Sequence, residues 1–175
     1  MAEISKDEFE AEESKERRVL RVKTADIKTA RSPWILETLA VGSCVAISLY
    51  DPVEKMGGLC HSLLPEPNAD DEPPSPKFTT EAVDIMMEDL KRDGASSKRL
   101  EAKIIGGANL FEALGEGTEM SMGRRNVEAA RTALEKLGVR VVGEDVGGAL
   151  GRSMALYTDT GKVRIRSADG TEKVL

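Results

Sequence analysis

The chain has 175 residues, of which 40% are hydrophobic and 32% charged, and its formal net charge is −6. A single domain with a substantial core is expected at this length. The acidic balance argues against a nucleic-acid surface, which needs a basic patch, and the sequence contains neither a run of about 18 apolar residues nor a secretory apolar segment. We therefore expect a cytoplasmic protein.

The first 18 residues form an acidic leader. They carry seven acidic and four basic side chains, a net charge of −3, and have no apolar centre. This composition is typical of a mobile tail. We predict a mobile leader over residues 1–18 and one domain over residues 19–175.

Strands predominate in the next part of the chain. Residues 19–24, 35–39 and 45–50 are apolar runs with β-branched or aromatic members, which favours strands. Residues 51–54 begin with Asp and Pro, as a type I turn prefers, and residues 55–64 resume the apolar pattern. The segment 45–64 is therefore predicted to form a hairpin.

The hairpin brings together Cys44 and His61, the only histidine of the chain. If residues 51–54 are a four-residue loop, Tyr50 pairs with Lys55, and the same register sets Cys44 opposite His61. Directly opposed side chains share one face, with Cβ atoms about 5 Å apart. A histidine at that distance can take the proton of a cysteine and make it a nucleophile.

Two simpler interpretations of this pair remain open. A free cysteine beside Val and Ala is often a small core residue, and a lone histidine near leucines is often a half-buried side chain with satisfied hydrogen bonds. Cys60 has the opposite alternation from His61 and is expected to face the core, so a disulfide with Cys44 is not expected. A metal site is not expected either, because the chain offers only two cysteines and one histidine as soft ligands.

Two helices are predicted in the second half. Apolar residues recur at helical spacing over 80–91, and Ser121 caps a second helix over 122–137 that Gly138 terminates. The segment 66–76 is acidic, rich in proline and too polar for the core. The remaining strands are predicted at 102–105, 139–142, 154–157 and 163–166, with a hairpin turn at 159–161.

This order of elements indicates an α+β fold, in which a single-domain sandwich of mixed β-sheets carries two outer helices. Helices do not alternate strictly with strands, so a doubly wound parallel sheet is not expected. We find no internal repeat in the chain.

Six blocks in order resemble the CheD family of chemoreceptor glutamine deamidases, over roughly residues 19–166. They are Thr38-Leu-Ala-Val-Gly-Ser-Cys44 with the strand that follows, Gly57-Gly58-Leu-Cys-His61, Lys77-Phe78, Gly106-Gly107-Ala108-Asn109, Met122-Gly123-Arg-Arg-Asn126, and Asp145-Val-Gly147-Gly148 with Gly151-Arg152. The chain departs from the family in its long acidic segment 66–76, where Asp70, Asp71 and Glu72 lie, and in Thr79-Thr80-Glu81.

The resemblance implies the chemistry. The family's catalytic Cys, His and Thr fall on Cys44, His61 and Thr38, and the fold is expected to be similar to the catalytic domain of deamidating cytotoxic necrotizing factor toxins. The activity implied is hydrolysis of a receptor glutamine to glutamate through a Cys thioester, without a cofactor. The implied partners are the cytoplasmic helices of methyl-accepting chemotaxis receptors and a CheC-type phosphatase.

Several residues are expected to border the reacting amide. Backbone N–H groups near Ser43 and Cys44 are candidates for holding an oxyanion, and the cleft is expected to include Gly42, Gly106, Gly107 and Asn109. The glycine pairs by themselves indicate only turn geometry, because the Lys-Ser/Thr of a phosphate-binding loop is absent. Two alternatives stay open: a binding module that regulates a CheC-type phosphatase, and a cysteine peptidase.

Overall fold

A computed structural model describes residues 17–68, 73–110 and 121–175. Within these ranges it contains ten strands and two helices. The strands are β1 (Arg18–Arg21), β2 (Asp26–Arg31), β3 (Trp34–Val41), β4 (Val45–Asp51), β5 (Met56–Ser62), β6 (Glu101–Gly106), β7 (Arg140–Val146), β8 (Arg152–Tyr157), β9 (Val163–Ser167) and β10 (Glu172–Val174). The helices are α1 (Thr79–Arg92) and α2 (Met122–Lys136).

The strands form two five-stranded sheets. The first sheet has the order β1-β3-β8-β9-β10, and the second has the order β2-β5-β4-β6-β7. Each contains one parallel pair, β1 with β3 and β6 with β7, and its other pairs are antiparallel. Both sheets are therefore mixed, and the predicted α+β class is confirmed.

The second sheet is the middle layer of three. Every residue of β4 and β5 is buried, because one face of these strands meets the helices and the other meets the first sheet. Val45, Ile47 and Leu49 pack with the apolar sides of α1 and α2, forming the helix-side core. Ala46 and Leu59 pack with residues of the first sheet, forming the inter-sheet core. Both helices thus cover the same face of one sheet.

The helices confirm the predicted spacing. Helix α1 buries Val83, Met86, Met87 and Leu90, and its bounds lie within one residue of those predicted. Helix α2 begins after Ser121, whose Oγ accepts a hydrogen bond from the Arg124 N–H at 3.3 Å. Neither described helix combines the length and the apolar content needed to cross a bilayer.

The predicted hairpin register is wrong by two residues. Asp51 is the last residue of β4 and pairs with Met56, and Tyr50 pairs with Gly57. The Asp51 carboxylate accepts the N–H groups of Val53 and Glu54, which places the turn one residue later than predicted. Because the shift is even, every side chain keeps its predicted face.

Three further differences concern the margins of the domain. Strands β2 and β10 lie outside every predicted strand range. Arg17 and Arg18 were assigned to the leader, but Arg18 begins β1 and the Arg17 guanidinium lies 2.7 Å from the Asp159 carboxylate. The predicted boundary is therefore at least two residues too late. Residues 1–16 of the leader, and residues 69–72 of the acidic segment with Asp70, Asp71 and Glu72, lie outside the described ranges.

Candidate active site

Cys44 and His61 lie close together at one end of the second sheet. His61 pairs with Ala46 on β4, and Cys44 lies two residues before Ala46 on the same face. The cysteine is therefore offset along the hairpin and not directly opposite His61, which corrects the predicted pairing. Diagonal neighbours of this kind are still within reach of longer side chains. Cys44 is half-buried and packs against the inter-sheet core.

The first sheet supplies Thr38 to the same site. Thr38 is fully buried on β3, and its Oγ1 lies 2.8 Å from His61 Nδ1 and 2.8 Å from the Val22 carbonyl oxygen. A hydroxyl has one proton, and a carbonyl oxygen can only accept. The Thr38 O–H therefore donates to Val22, and Oγ1 accepts the His61 Nδ1–H.

This hydrogen-bond chain fixes the tautomer of His61. With the proton on Nδ1, the other ring nitrogen Nε2 carries the basic lone pair. Nε2 is buried and has no hydrogen-bond partner among the described residues. A buried, unpaired basic nitrogen is unusual in a folded protein, and a catalytic role is one explanation for such a group. Its presence argues against the interpretation of His61 as a satisfied half-buried side chain.

Burial affects both members of the pair. It lowers the pKa of His61 below its usual range. It also raises the pKa of the Cys44 thiol, an effect that the cysteine's own backbone N–H partly offsets. Both shifts favour neutral side chains in the resting protein. The two pKa shifts therefore fit a neutral base that takes the thiol proton during the reaction, and not a preformed ion pair.

Cys60 is not part of this site. It is fully buried in the helix-side core, on the opposite face of β5 from His61, as predicted. Burial raises the pKa of its thiol to about 12. Cys44 is thus the more exposed of the two cysteines and the one on the same face as His61. In the described ranges, no group of three or more His, Cys, Asp or Glu side chains is arranged to hold a metal ion.

The predicted glycines surround the Cys44 backbone. The Gly107 N–H donates to the Cys44 carbonyl oxygen at 2.7 Å, and the Ala108 N–H donates to the Gly42 carbonyl oxygen at 2.9 Å. Gly106 has φ +110°, and a Cβ there would lie 2.5 Å from the Cys44 carbonyl oxygen. These contacts require glycine at 106 and hold the turn before β4 in place.

Asn109 is at the edge of the same loop. Its backbone N–H donates to the Gly148 carbonyl oxygen at 2.8 Å, which joins the loop after β6 to the loop after β7. The loop that contains Gly147 and Gly148 therefore helps to hold the loop that contains Gly106 and Gly107. The Gly107 N–H is already committed to the Cys44 carbonyl oxygen, so it is not free to act as an oxyanion donor.

Two buried polar residues at this site were not predicted as site residues. The Asn126 Nδ2 group donates to the carbonyl oxygens of Ser43 and Leu63, both at 2.9 Å. The Arg152 guanidinium donates to the carbonyl oxygens of Gly106 and Gly147 at 3.2 and 2.7 Å. The signal for Asn126 was present in the sequence: it is a polar residue on the apolar side of helix α2, next to Val127.

Several known proteins are similar to this chain. A family model described as CheD chemotactic sensory transduction matches residues 63–167, which begin just after His61. A protein of Caldanaerobacter subterraneus subsp. tengcongensis named "Probable chemoreceptor glutamine deamidase CheD" is 40% identical over 153 residues, covering 87% of this chain and 94% of the relative. The Thermotoga maritima protein named "Chemoreceptor glutamine deamidase CheD" is 40% identical over 144 residues, covering 82% of this chain and 88% of the relative.

A solved structure was also found to be similar. The protein YfiH of Bacillus licheniformis matches 71% of this chain and 51% of its own length, with 16% identity and a TM-score of 0.45. A TM-score this low supports no inference about the fold. The expected similarity to the catalytic domain of the necrotizing factor toxins stays a prediction.

Proposed function

This chain belongs to the CheD family, and from that membership we propose that it is a chemoreceptor glutamine deamidase. Its relatives carry that activity in their names. The observation that carries the proposal is the buried chain from Val22 through Thr38 to His61, on the same face of the hairpin as Cys44, which leaves the basic Nε2 without a hydrogen-bond partner among the described residues. The reaction is hydrolysis of a glutamine side-chain amide to glutamate and ammonia.

The first step forms a thioester. His61 Nε2 takes the Cys44 thiol proton as the sulfur attacks the amide carbon, and the carbonyl oxygen becomes an oxyanion. The C–N bond then breaks, and protonated His61 gives its proton to the departing nitrogen. Ammonia leaves and the glutamyl group stays on Cys44.

The second step releases glutamate. A water molecule gives a proton to His61 Nε2 and attacks the thioester carbon. The C–S bond breaks, and the thiolate recovers the proton from His61. The enzyme returns to the neutral pair that the pKa directions of Cys44 and His61 favour.

Thr38 has the role of the third member of a triad. By accepting the Nδ1–H it orients the ring and keeps the lone pair on Nε2. A neutral hydroxyl stabilises the imidazolium less than a carboxylate does, so the contribution of Thr38 to the rate is expected to be smaller than that of a triad aspartate.

The oxyanion is held by backbone N–H groups at the turn before β4. The N–H of Cys44 lies near its own sulfur, and one donor of this type is worth about 3–4 kcal/mol of transition-state stabilisation. Gly42, Ser43, Gly106, Gly107 and Asn109 form the surrounding cleft. The substrate is a glutamine on the cytoplasmic helices of a methyl-accepting chemotaxis receptor, which requires an open cleft and a cytoplasmic enzyme.

The alternative of a binding module for a CheC-type phosphatase requires only a surface. A binding surface does not explain why, among the described residues, the buried His61 Nε2 has no hydrogen-bond partner. The names of the relatives do not favour a binding module either. A CheC-type partner in addition to the enzymatic activity stays a prediction. The part of the predicted leader that precedes the described domain, residues 1–16, is proposed to take no part in catalysis.

Ammonia release tests the proposal. The purified chain is incubated with a cytoplasmic fragment of a chemoreceptor, and free ammonia is measured over time. The wild-type chain is expected to release ammonia, and the Cys44→Ala variant none. Peptide cleavage of the fragment without ammonia would indicate the cysteine peptidase instead.

A further inference from the structure

Asn126, on helix α2, links the Cys44 side of the candidate site to the His61 side through hydrogen bonds. It is fully buried on helix α2, and its Nδ2 group donates to the Ser43 carbonyl oxygen and to the Leu63 carbonyl oxygen, both at 2.9 Å. Ser43 precedes the proposed nucleophile, and Leu63 lies two residues after the proposed base. One amide therefore links the cysteine turn to the end of the histidine strand.

The orientation of this amide follows from its partners. Both partners are carbonyl oxygens, which only accept, so the NH₂ group must face them. The Oδ1 atom then points elsewhere, and it is buried without a hydrogen-bond partner among the described residues. Leaving a buried acceptor unpaired is costly. The two donated hydrogen bonds therefore hold Asn126 in place in spite of that cost.

The contact with Ser43 has a consequence for the next residue. The Ser43 C=O and the Cys44 N–H belong to one peptide unit, and in a planar trans unit these bonds point in opposite directions. Helix α2 packs on the helix-side core, whereas the Cys44 side chain packs against the inter-sheet core. A carbonyl held toward α2 directs the Cys44 N–H toward the side on which the sulfur lies.

We infer that Asn126 is a positioning residue that fixes the Ser43–Cys44 peptide, so that the Cys44 N–H is already aimed at the oxyanion before substrate arrives. A donor held in place needs no reorganisation during the reaction, and this pre-organisation is the main source of oxyanion stabilisation. The inference rests on the proposed chemistry of Cys44. It adds a role for a helix residue that acts through the Ser43 carbonyl oxygen.

Two reagents separate this role from a merely structural one. p-Nitrophenyl acetate transfers its acetyl group to the sulfur through a tetrahedral oxyanion: an S–C bond forms, the bond between the acetyl carbon and the aryloxy oxygen breaks, and p-nitrophenolate leaves. Iodoacetamide alkylates the same sulfur with loss of iodide and forms no oxyanion. In both reactions the thiol proton passes to His61. The ratio of the two rates at Cys44 therefore reports the oxyanion donor.

Three variants are compared with the wild-type chain, and modification at Cys44 is followed by peptide mass mapping. Asn126→Ala and the isosteric Asn126→Asp both remove the NH₂ donor. The matched control is Thr79→Val, because Thr79 is also fully buried and its Oγ1 donates to the Leu64 carbonyl oxygen at 2.9 Å, near the same strand end but away from Ser43.

The expected result is a fall of about tenfold or more in the acylation-to-alkylation ratio of both Asn126 variants, because one misdirected donor removes much of its contribution. The ratio of Thr79→Val should stay that of the wild-type chain. An unchanged ratio in a folded Asn126 variant would overturn the inference. If Asn126→Ala does not fold, Asn126→Asp and the smaller Asn126→Ser decide the question.

The same experiment is independent of the receptor. If the ratio falls in the Asn126 variants while the wild-type chain releases no ammonia from a receptor fragment, the inference about Asn126 stands and the proposed function fails. If ammonia is released and the ratio does not change, the proposed function stands and the role of Asn126 is wrong.

Discussion

Thr38 Oγ1 lies 2.8 Å from His61 Nδ1 across the gap between the two sheets. The Thr38 proton is committed to the Val22 carbonyl oxygen, also at 2.8 Å, so the hydroxyl can only accept from the ring. A neutral side chain thereby does what a carboxylate does in many triads: it selects the tautomer and the orientation of the imidazole.

Thr38→Val should keep the fold and slow the reaction. Valine has nearly the shape of threonine but cannot accept the Nδ1–H, so the proton is no longer held on that nitrogen. We expect kcat to fall about 10- to 100-fold with little change in KM. Thr38→Ser keeps the hydroxyl and should retain most of the activity. Steady-state kinetics of both variants and ¹⁵N NMR of His61 check this, and equal tautomer populations in Thr38→Val and wild type would contradict it.

The stability of the protein should fall as the pH drops through the histidine range. Burial lowers the pKa of His61 below its ordinary value of 6.5, so the unfolded chain binds a proton more readily than the folded one. Stability linked to His61 is therefore complete above about pH 7 and is lost progressively below about pH 6.5.

His61→Gln isolates this effect, because His61 is the only histidine of the chain. The free energy of unfolding is measured by denaturant titration at about pH 7.5 and about pH 5.5. The wild-type chain should lose more stability between these conditions than the variant does. Equal losses would show that the pKa of His61 does not differ between the two states.

Gly106→Ala should destabilise the cysteine turn far more than an ordinary glycine substitution. The new Cβ would lie 2.5 Å from the Cys44 carbonyl oxygen and from Val41 Cγ1, at a φ of +110°. Gly138→Ala is the matched control, because it has φ +68° and nothing within 4 Å of the new Cβ, so it costs only about 1–2 kcal/mol of backbone strain. Thermal unfolding of both variants gives the comparison, and equal melting temperatures would refute the steric argument.

Asp51 should contribute more to stability than an exposed carboxylate such as Glu88. It is fully buried and accepts hydrogen bonds from the Arg99 guanidinium and from the N–H groups of Val53, Glu54 and Ser96. Burial alone would raise the pKa of this carboxyl, but Arg99 and the three N–H groups outweigh it and hold the pKa below its usual range. Asp51→Asn is expected to cost about 1–3 kcal/mol at neutral pH.

The pH dependence has a definite sign. A depressed carboxyl pKa contributes stability that is present above about pH 4 and lost as the pH falls through that range. The difference between wild type and Asp51→Asn should therefore shrink in acid. Glu88→Gln, which breaks an exposed pair with Lys91, should leave stability almost unchanged at every pH. A larger effect of Glu88→Gln than of Asp51→Asn would contradict this account.

The sequence predicted the parts of the fold that local patterns encode. Both helices, the Ser121 cap and the alternation that separates Cys60 from His61 follow from side-chain periodicity, which depends on neighbouring residues alone. Strand β2 has the sequence Asp-Ile-Lys-Thr-Ala-Arg, with polar or small residues at most positions, and it is an edge strand that needs little apolar character. Its local signal is therefore weak.

The candidate site was predictable only in part. The spacing within the hairpin placed Cys44 and His61 on one face, but the hydrogen bonds of Asp51 moved the turn and changed the register. Thr38 came from the family resemblance, because its contact with His61 joins two sheets and has no local signal. Asn126 contacts residues more than 60 positions away in the chain. The sequence therefore indicated its role only through a polar side chain on an apolar helix face.

Cys44 is proposed to convert receptor glutamines to glutamates, and site-resolved mass spectrometry can follow that conversion. A chemoreceptor cytoplasmic fragment is incubated with the wild-type chain, with Cys44→Ala and with Cys60→Ala, and each glutamine is scored for conversion. We expect conversion at defined glutamines by the wild-type and Cys60→Ala chains and none by Cys44→Ala. Conversion by Cys44→Ala at the wild-type rate would show that Cys44 is not the nucleophile.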